Sequence, residues 1–187
     1  MVEYNYELKI PKERIAVLIG TKGSTKRQIE KATNSSLDID SKEGDIVLSG
    51  DDAMSLFIAR DVIRAIGRGF NPNVALLILK PDYALEIISM TDFIRTKNDS
   101  IRLKGRVIGS EGRSREHLEE LTDTNICVYG KTIGIVGEQG SAGIAKKALE
   151  MLLKGSPHAN VYKWLERMRR KMKTAEYLMK SDKIEFK

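Results

Sequence analysis

The chain has 187 residues, room for one large domain or two small ones of roughly 70 to 100 residues each. Apolar residues make up 41% of it, too many for a disordered chain, and no run of about 18 apolar residues offers a membrane span. Lys plus Arg number 32 against 26 acids, a net charge of +6 that suits nucleic acid or, alternatively, a merely solvated basic surface.

Tyr4 to Ile10 alternates polar and apolar residues and predicts a strand. Pro11, tolerated in a first helical turn, opens a short helix to Ile19. Gly20 to Gly23 is a turn, and Ser24 to Thr33 a helix with Ile29 and Ala32 on one face. Leu37 to Asp40 and Asp45 to Ser49 alternate as strands around Gly44. Asp51 or Asp52 caps a last helix expected to bury Met54, Phe57, Ile58, Val62 and Ile66, and Gly67 and Gly69 end it. Asn71-Pro72 then opens a short apolar helix, Val74 to Leu79, expected to pack between two units.

Further on, Leu85 to Met90 predicts a strand, and Ser100 to Ile108 and Arg113 to Thr122 predict helices flanking a second glycine turn. Ile126 to Tyr129 and Thr132 to Val136 read as strands and Ser141 to Leu153 as a long helix. His158 to Lys173 reads as an added helix, apolar at Val161, Leu165 and Met168 and basic opposite. From Pro157 onward nine cations meet four acids, so this segment holds nearly all the surplus charge.

The two halves repeat. Placing Gly20 on Gly109 aligns Ile19 with Ile108, Gly23 with Gly112, Ile29 with Leu118, Thr33 with Thr122 and Leu37 with Ile126, all at an offset of 89. The offset falls to 87 and then 86 across loops, where Ile46, Leu48 and Gly50 meet Ile133, Ile135 and Gly137, and Gly69 meets Gly155. Deletions confined to loops leave a common fold intact. Each copy runs strand, helix, glycine turn, helix, strand, strand, helix.

The turn reads Ile-Gly-x-x-Gly in both copies, "IGTKG" and "IGSEG". It precedes a helix whose first amides are unpaired and whose dipole points its positive end outward. Glycine leaves no Cβ to hold another backbone away, so a phosphodiester chain suits the place. Beside it Leu18, Ile19, Ile29, Leu37 and Ile39 in one copy, and Val107, Ile108, Leu118, Ile126 and Val128 in the other, offer an apolar groove. Unstacked bases could lie there; paired bases could not reach it.

These motifs, with the helix, two strands and long helix behind each, resemble the type I KH domain. The resemblance implies an α+β protein of two tandem KH units, each a three-stranded sheet with helices on one face, plus a basic C-terminal helix. It divides the chain into 1–70, a connector at 71–83, 84–156 and an extension at 157–187. It implies a grip on about four single-stranded nucleotides per unit. The implied RNA contacts are Gly20, Thr21, Lys22, Gly23, Lys26 and Arg27, and Arg106, Ile108, Gly109, Ser110, Glu111, Gly112, Arg113 and Arg115. The stretches "GRVIGSEGRSREHLEELT" and "GSPHANVYKWLERMRRK" further resemble the partner-of-Nob family of ribosome assembly factors. Its members bind near the 3′ end of small-subunit ribosomal RNA and work beside the endonuclease that matures it. Eukaryotic members have lost the first GxxG and carry a cation in the second. This chain keeps both turns, as an archaeal-type member would, and has Glu111 at the cation's place. The resemblance favours the second unit as principal site, whereas local charge favours the first.

Blander readings stand beside these. The glycines could be helix caps without a ligand, and Lys26, Arg27, Arg113, Arg115 and the Arg167–Lys173 run could be solvated faces. Trp164 suits packing better than base stacking, and Cys127 suits a small buried position. His117 and His158 lack ligand company, no P-loop occurs, and "REHLEEL" is not HExxH. No catalytic constellation, cofactor or metal is expected. With no signal-peptide pattern in "MVEYNYELKI" and one cysteine, a cytoplasmic protein with no membrane partner is expected. Other ribosome or translation proteins are further possible partners. The rival functions are a tandem-KH transcription elongation factor, whose GxxG would lie nearer the end of each unit, and a protein-docking scaffold using a GxxG face or the Val74–Leu79 segment.

Overall fold

A computed structural model describes residues 4–94 and 96–185, with side chains at all of these but 97 and 175–185. The first unit runs β1 (Tyr4–Lys9), α1 (Lys12–Ile19), a glycine bend, α2 (Ser24–Thr33), β2 (Ser35–Ile39), β3 (Asp45–Gly50) and α3 (Ala53–Gly67). A connector follows, α4 (Pro72–Ala75) tightening into a 3₁₀ turn at Leu76–Leu79. The second unit runs β4 (Tyr83–Ser89), α5 (Lys97–Ile108), a second bend, α6 (Arg113–Thr122), β5 (Thr124–Tyr129), β6 (Thr132–Glu138) and α7 (Gln139–Leu153). The last helix, α8 (His158–Glu185), extends well past the expected Lys173. Lys180, Lys183 and Lys187, counted in the basic tail, lie outside the described side chains.

Each unit has an antiparallel three-stranded sheet, ordered β1-β3-β2 and β4-β6-β5, so the strand after α2 or α6 is always an edge. Alternation puts Ile46 and Leu48 inward and leaves Val47 to solvent. Leu18, Ile29, Leu37, Leu48, Leu56 and Ile66 close the first core; Leu103, Val107, Leu118, Ile135 and Leu149 close the second, which α8 seals with Val161 and Leu165.

Both copies explain their shared Thr. Thr33 and Thr122 donate their hydroxyls back to the carbonyls of Ile29 and Leu118, at 2.8 and 2.7 Å, and meet the hydroxyls of Ser35 and Thr124. Each threonine thus ends its helix and ties it to the next strand. Asn34 and Asp123 follow in the left-handed region, which short polar side chains tolerate.

One expectation about the cores fails. Met54 and Phe57 are 67% and 45% exposed, because the buried stripe of α3 is Leu56, Ala59, Val62, Ile63 and Ile66. Phe57 instead carries the Arg60 guanidinium 4.0 Å above its ring, a cation–π contact that rewards an aromatic at the surface. Asp52, not Asp51, caps this helix, accepting from the amides of Met54 and Ser55.

The units join along the outer face of the second sheet. Val136, fully buried, belongs to the first unit's core together with Phe70, Ala75 and Ile78. The contact is close enough to require glycine. A Cβ on Gly134 would sit 2.6 Å from Phe70, and one on Gly69 would sit 2.9 Å from the Cys127 sulfur. Burial raises the Cys127 thiol pKa above its usual value. Tyr129 donates its hydroxyl to Glu13, a bond that holds the carboxyl pKa down and the phenol pKa up. The Val74–Leu79 segment packs in this junction, as expected, and so is no free docking surface.

Candidate nucleic-acid interface

The two glycine bends have nearly the same backbone. Gly20 and Gly109 sit at φ 72, ψ 175 and φ 75, ψ 178. Lys22 and Glu111 follow at φ 52, ψ 30 and φ 55, ψ 26, then Gly23 and Gly112 at φ 76, ψ 19 and φ 82, ψ −1. A non-glycine residue in the left-handed region costs roughly 1 kcal/mol. Two different side chains, Lys and Glu, hold that conformation at matching positions. The bend is therefore imposed by the fold, and the side chain at its tip is free to vary.

The paired glycines do different jobs. A Cβ on Gly20 would lie 2.8 Å from the Thr25 amide, and one on Gly109 would lie 2.8 Å from the Ser114 amide. The first glycine lets two helices cross. A Cβ on Gly23 meets nothing within 4 Å, and one on Gly112 meets only side-chain ends at 3.7 and 3.9 Å. The second glycine faces open space. We expect Gly20→Ala and Gly109→Ala to lower the melting temperature most, while Gly23→Ala and Gly112→Ala, strained by roughly 1 kcal/mol at their positive φ, lower it by only about 2 to 4 °C but bind single-stranded RNA less tightly. Thermal melts beside a fluorescence-anisotropy titration separate the two effects.

No side chain caps α2 or α6; the Ser24 and Arg113 amides donate to the carbonyls of Thr21 and Ser110 within the bends, and the positive end of each helix dipole lies at the open glycine. Thr21, Lys22, Ser110, Glu111 and Arg113 are all exposed there, as is Arg27. Arg27 does more than add charge: its Nη2 donates to the Lys22 carbonyl at 2.7 Å and braces the first bend. In the second bend Arg113 lies 3.7 Å from Glu111, a solvent-exposed pair that offsets the acid.

The second bend has a brace of its own, from α8. His158 Nε2–H donates to the Arg106 carbonyl at 2.8 Å, and the Tyr162 hydroxyl lies 3.0 Å from that of Ser114. His117 stands edge-on to the Tyr162 ring at 4.6 Å between centroids. Both histidines thus serve this joint. Trp164 packs against the second core.

Two expectations about the site change. Arg106 is not a free phosphate ligand: its Nε and Nη2 donate to the carbonyls of Leu152 and Ser156, at 3.2 and 2.6 Å. Arg14 does the same in the first unit, to Ile66 and Phe70 at 2.8 and 2.6 Å. The acceptors match between the copies, yet the arginines stand one turn apart on their helices, so the alignment hides the equivalence. Lys26 and Arg115 are not free cations either; each lies near a glutamate four residues on, Glu30 and Glu119, at 3.8 and 3.7 Å. The groove residues are largely core, so only their partly exposed edges can touch a base. Leu18, Ile29, Leu37, Val107, Leu118 and Ile126 are core, and only Ile19 and Ile39, and Ile108 and Val128, keep partial exposure.

Edge strand, groove and glycine bend, doubled in one chain, define a tandem type I KH protein. A KH-domain family model matches residues 5–65, and a model described as the eukaryotic-type, type I KH domain matches residues 84–170. A KH domain-containing protein of Methanocaldococcus jannaschii is 49% identical over 174 residues, 91% of this chain and 76% of that one. The RNA-binding protein pno1 of Dictyostelium discoideum is 34% identical over 106 residues, 56% of this chain and 44% of that protein, so the chain spans under half of this eukaryotic relative. Among solved structures, a Pyrococcus horikoshii complex of Dim2p with a/eIF2alpha and rRNA contains a chain 43% identical, with a TM-score of 0.84, covering 90% of this chain and 96% of that one. The chain belongs to the Pno1/Dim2 family of RNA-binding KH proteins, a family with a member named as a pre-rRNA-processing protein.

Proposed function

We propose that the chain is a non-enzymatic holder of single-stranded RNA, gripping small-subunit ribosomal RNA near its 3′ end during maturation in the cytoplasm. The carrying observation is the pair of congruent bends, each with its second glycine open to space at the N-terminus of a helix that no side chain caps. The Dim2p complex with rRNA supports ribosomal RNA as the ligand. The endonuclease that cuts the precursor is the fitting protein partner, because a held, unpaired 3′ segment is what such an enzyme needs presented. Two strands and a long helix follow each bend, an order that argues against the elongation-factor reading.

The test is binding of the full chain to an oligonucleotide of the mature small-subunit 3′ terminus, set against the same sequence paired with its complement. We expect tight single-stranded binding, weak duplex binding, and affinity that falls steeply with salt. Equal affinity for both forms, or for an unrelated strand of equal length, would overturn the reading. Incubating the labelled strand with the protein and divalent metal should leave it intact.

A further inference from the structure

A second motif repeats inside the grooves at the same offset of 89 as the bends. In the first unit Lys26 lies 3.8 Å from Glu30, and Glu30 Oε1 accepts the Leu37 amide at 2.9 Å. In the second Arg115 lies 3.7 Å from Glu119, and Glu119 Oε1 accepts the Ile126 amide at 2.6 Å. Leu37 and Ile126 lie on edge strands, so these amides point away from their sheets toward the helix across the groove. A carboxylate bridges that gap in both copies.

The bridge is incomplete in an informative way. Glu30 and Glu119 keep 24% and 25% side-chain exposure. One oxygen of each is held by the strand, which leaves accepting capacity on the carboxylate. The neighbouring cation is too far for a hydrogen bond to it. Lys26 and Arg115 keep 35% and 40% side-chain exposure, so both can reach a ligand, although Arg115 Nε–H itself is closed to one. The groove thus presents an acceptor fixed by backbone next to an under-used donor.

We propose that Glu30 and Glu119 are base-reading residues: each holds its edge strand with one oxygen and offers its remaining accepting capacity to the exocyclic amino group of an unpaired base. Lys26 and Arg115 donate to that base's adjacent ring nitrogen or carbonyl. Cytosine, adenine and guanine carry such an amino group; uracil does not, and its carbonyls would face the carboxylate. A carboxylate reading a base amino group, as with cytosine N4, is an established pairing. This inference rests on the RNA-binding reading above.

The decisive substitutions are Glu30→Gln and Glu119→Gln, singly and together. The amide keeps the shape and can still accept from the strand, but its free end becomes a donor. Selection from a randomised single-stranded RNA pool should show the wild-type chain favouring amino-bearing bases at one position per unit. The glutamine variants should shift that position toward uracil by roughly tenfold, the discrimination one well-placed base contact supplies. Melting temperatures should change little.

A second arm leaves the protein untouched. Replacing the selected cytidine by its analogue lacking the amino group, 2-pyrimidinone riboside, should weaken wild-type binding by roughly tenfold. It should weaken binding by the glutamine variant much less, and that difference is a coupling a strand tie alone would not produce. Unchanged base preference with retained RNA affinity would sink the base-reading role and leave the RNA-holding function standing. Failure of the wild-type chain to bind any single strand would sink the function itself.

Discussion

Changing Thr21 and Lys22 together to aspartate is expected to weaken single-stranded RNA binding by roughly a hundredfold. Three units of charge move against phosphate, each worth about 1 kcal/mol at surface screening. Both positions are exposed, and Lys22 already holds a left-handed conformation that aspartate tolerates well, so the fold should stand. In the second bend Ser110→Asp moves one unit and should cost about fivefold, while Glu111→Lys moves two the other way and should gain roughly thirtyfold. Taken per unit of charge moved, the comparison also ranks the units, since the bend that dominates binding shows the larger response. If none of these variants shifts the titration midpoint, phosphate does not lie at the bends. Raising the salt should compress all of the differences.

Arg14→Ala and Arg106→Met are expected to act on stability first. Each arginine forks into two carbonyls at the end of the unit's long helix, where a cation also suits the helix dipole. Two bonds from a charged donor are worth about 3 kcal/mol together, or roughly 6 to 12 °C of melting temperature for a chain of this size. Lysine should not rescue either site, because one ammonium cannot reproduce the fork. A variant Arg106→Met that melts like wild type while losing RNA affinity would return this residue to the role the sequence suggested.

That reversal shows where sequence reasoning reached and where it stopped. The repeat, the bends and the strand order were legible because glycine spacing and apolar periodicity are properties of the chain itself. The role of Arg106 was not, because its acceptors lie about fifty residues away. Its counterpart, Arg14, aligns with Leu103 rather than Arg106, so the repeat gave no warning. Met54 and Phe57 were placed inside by helical spacing that fits two adjacent stripes of α3 about equally well; packing against the sheet chose the other. Two signals were available but unread. Glu30 falls on Glu119 in the same alignment that pairs the glycines. The stretch "TIGIVGE" is apolar without alternation, the mark of a strand covered on both faces. Read that way, it forecasts that the second sheet leans on the first unit.

That leaning has a mechanical outcome. Phe70 wedged beneath Gly134, and Val136 sunk among the first unit's residues, weld the halves instead of tethering them. A flexible tandem would tolerate any gap between two gripped stretches of RNA; a welded one works as a gauge. With both bends gripping one strand as proposed, the length of RNA between the grips is set by the protein and not by a linker.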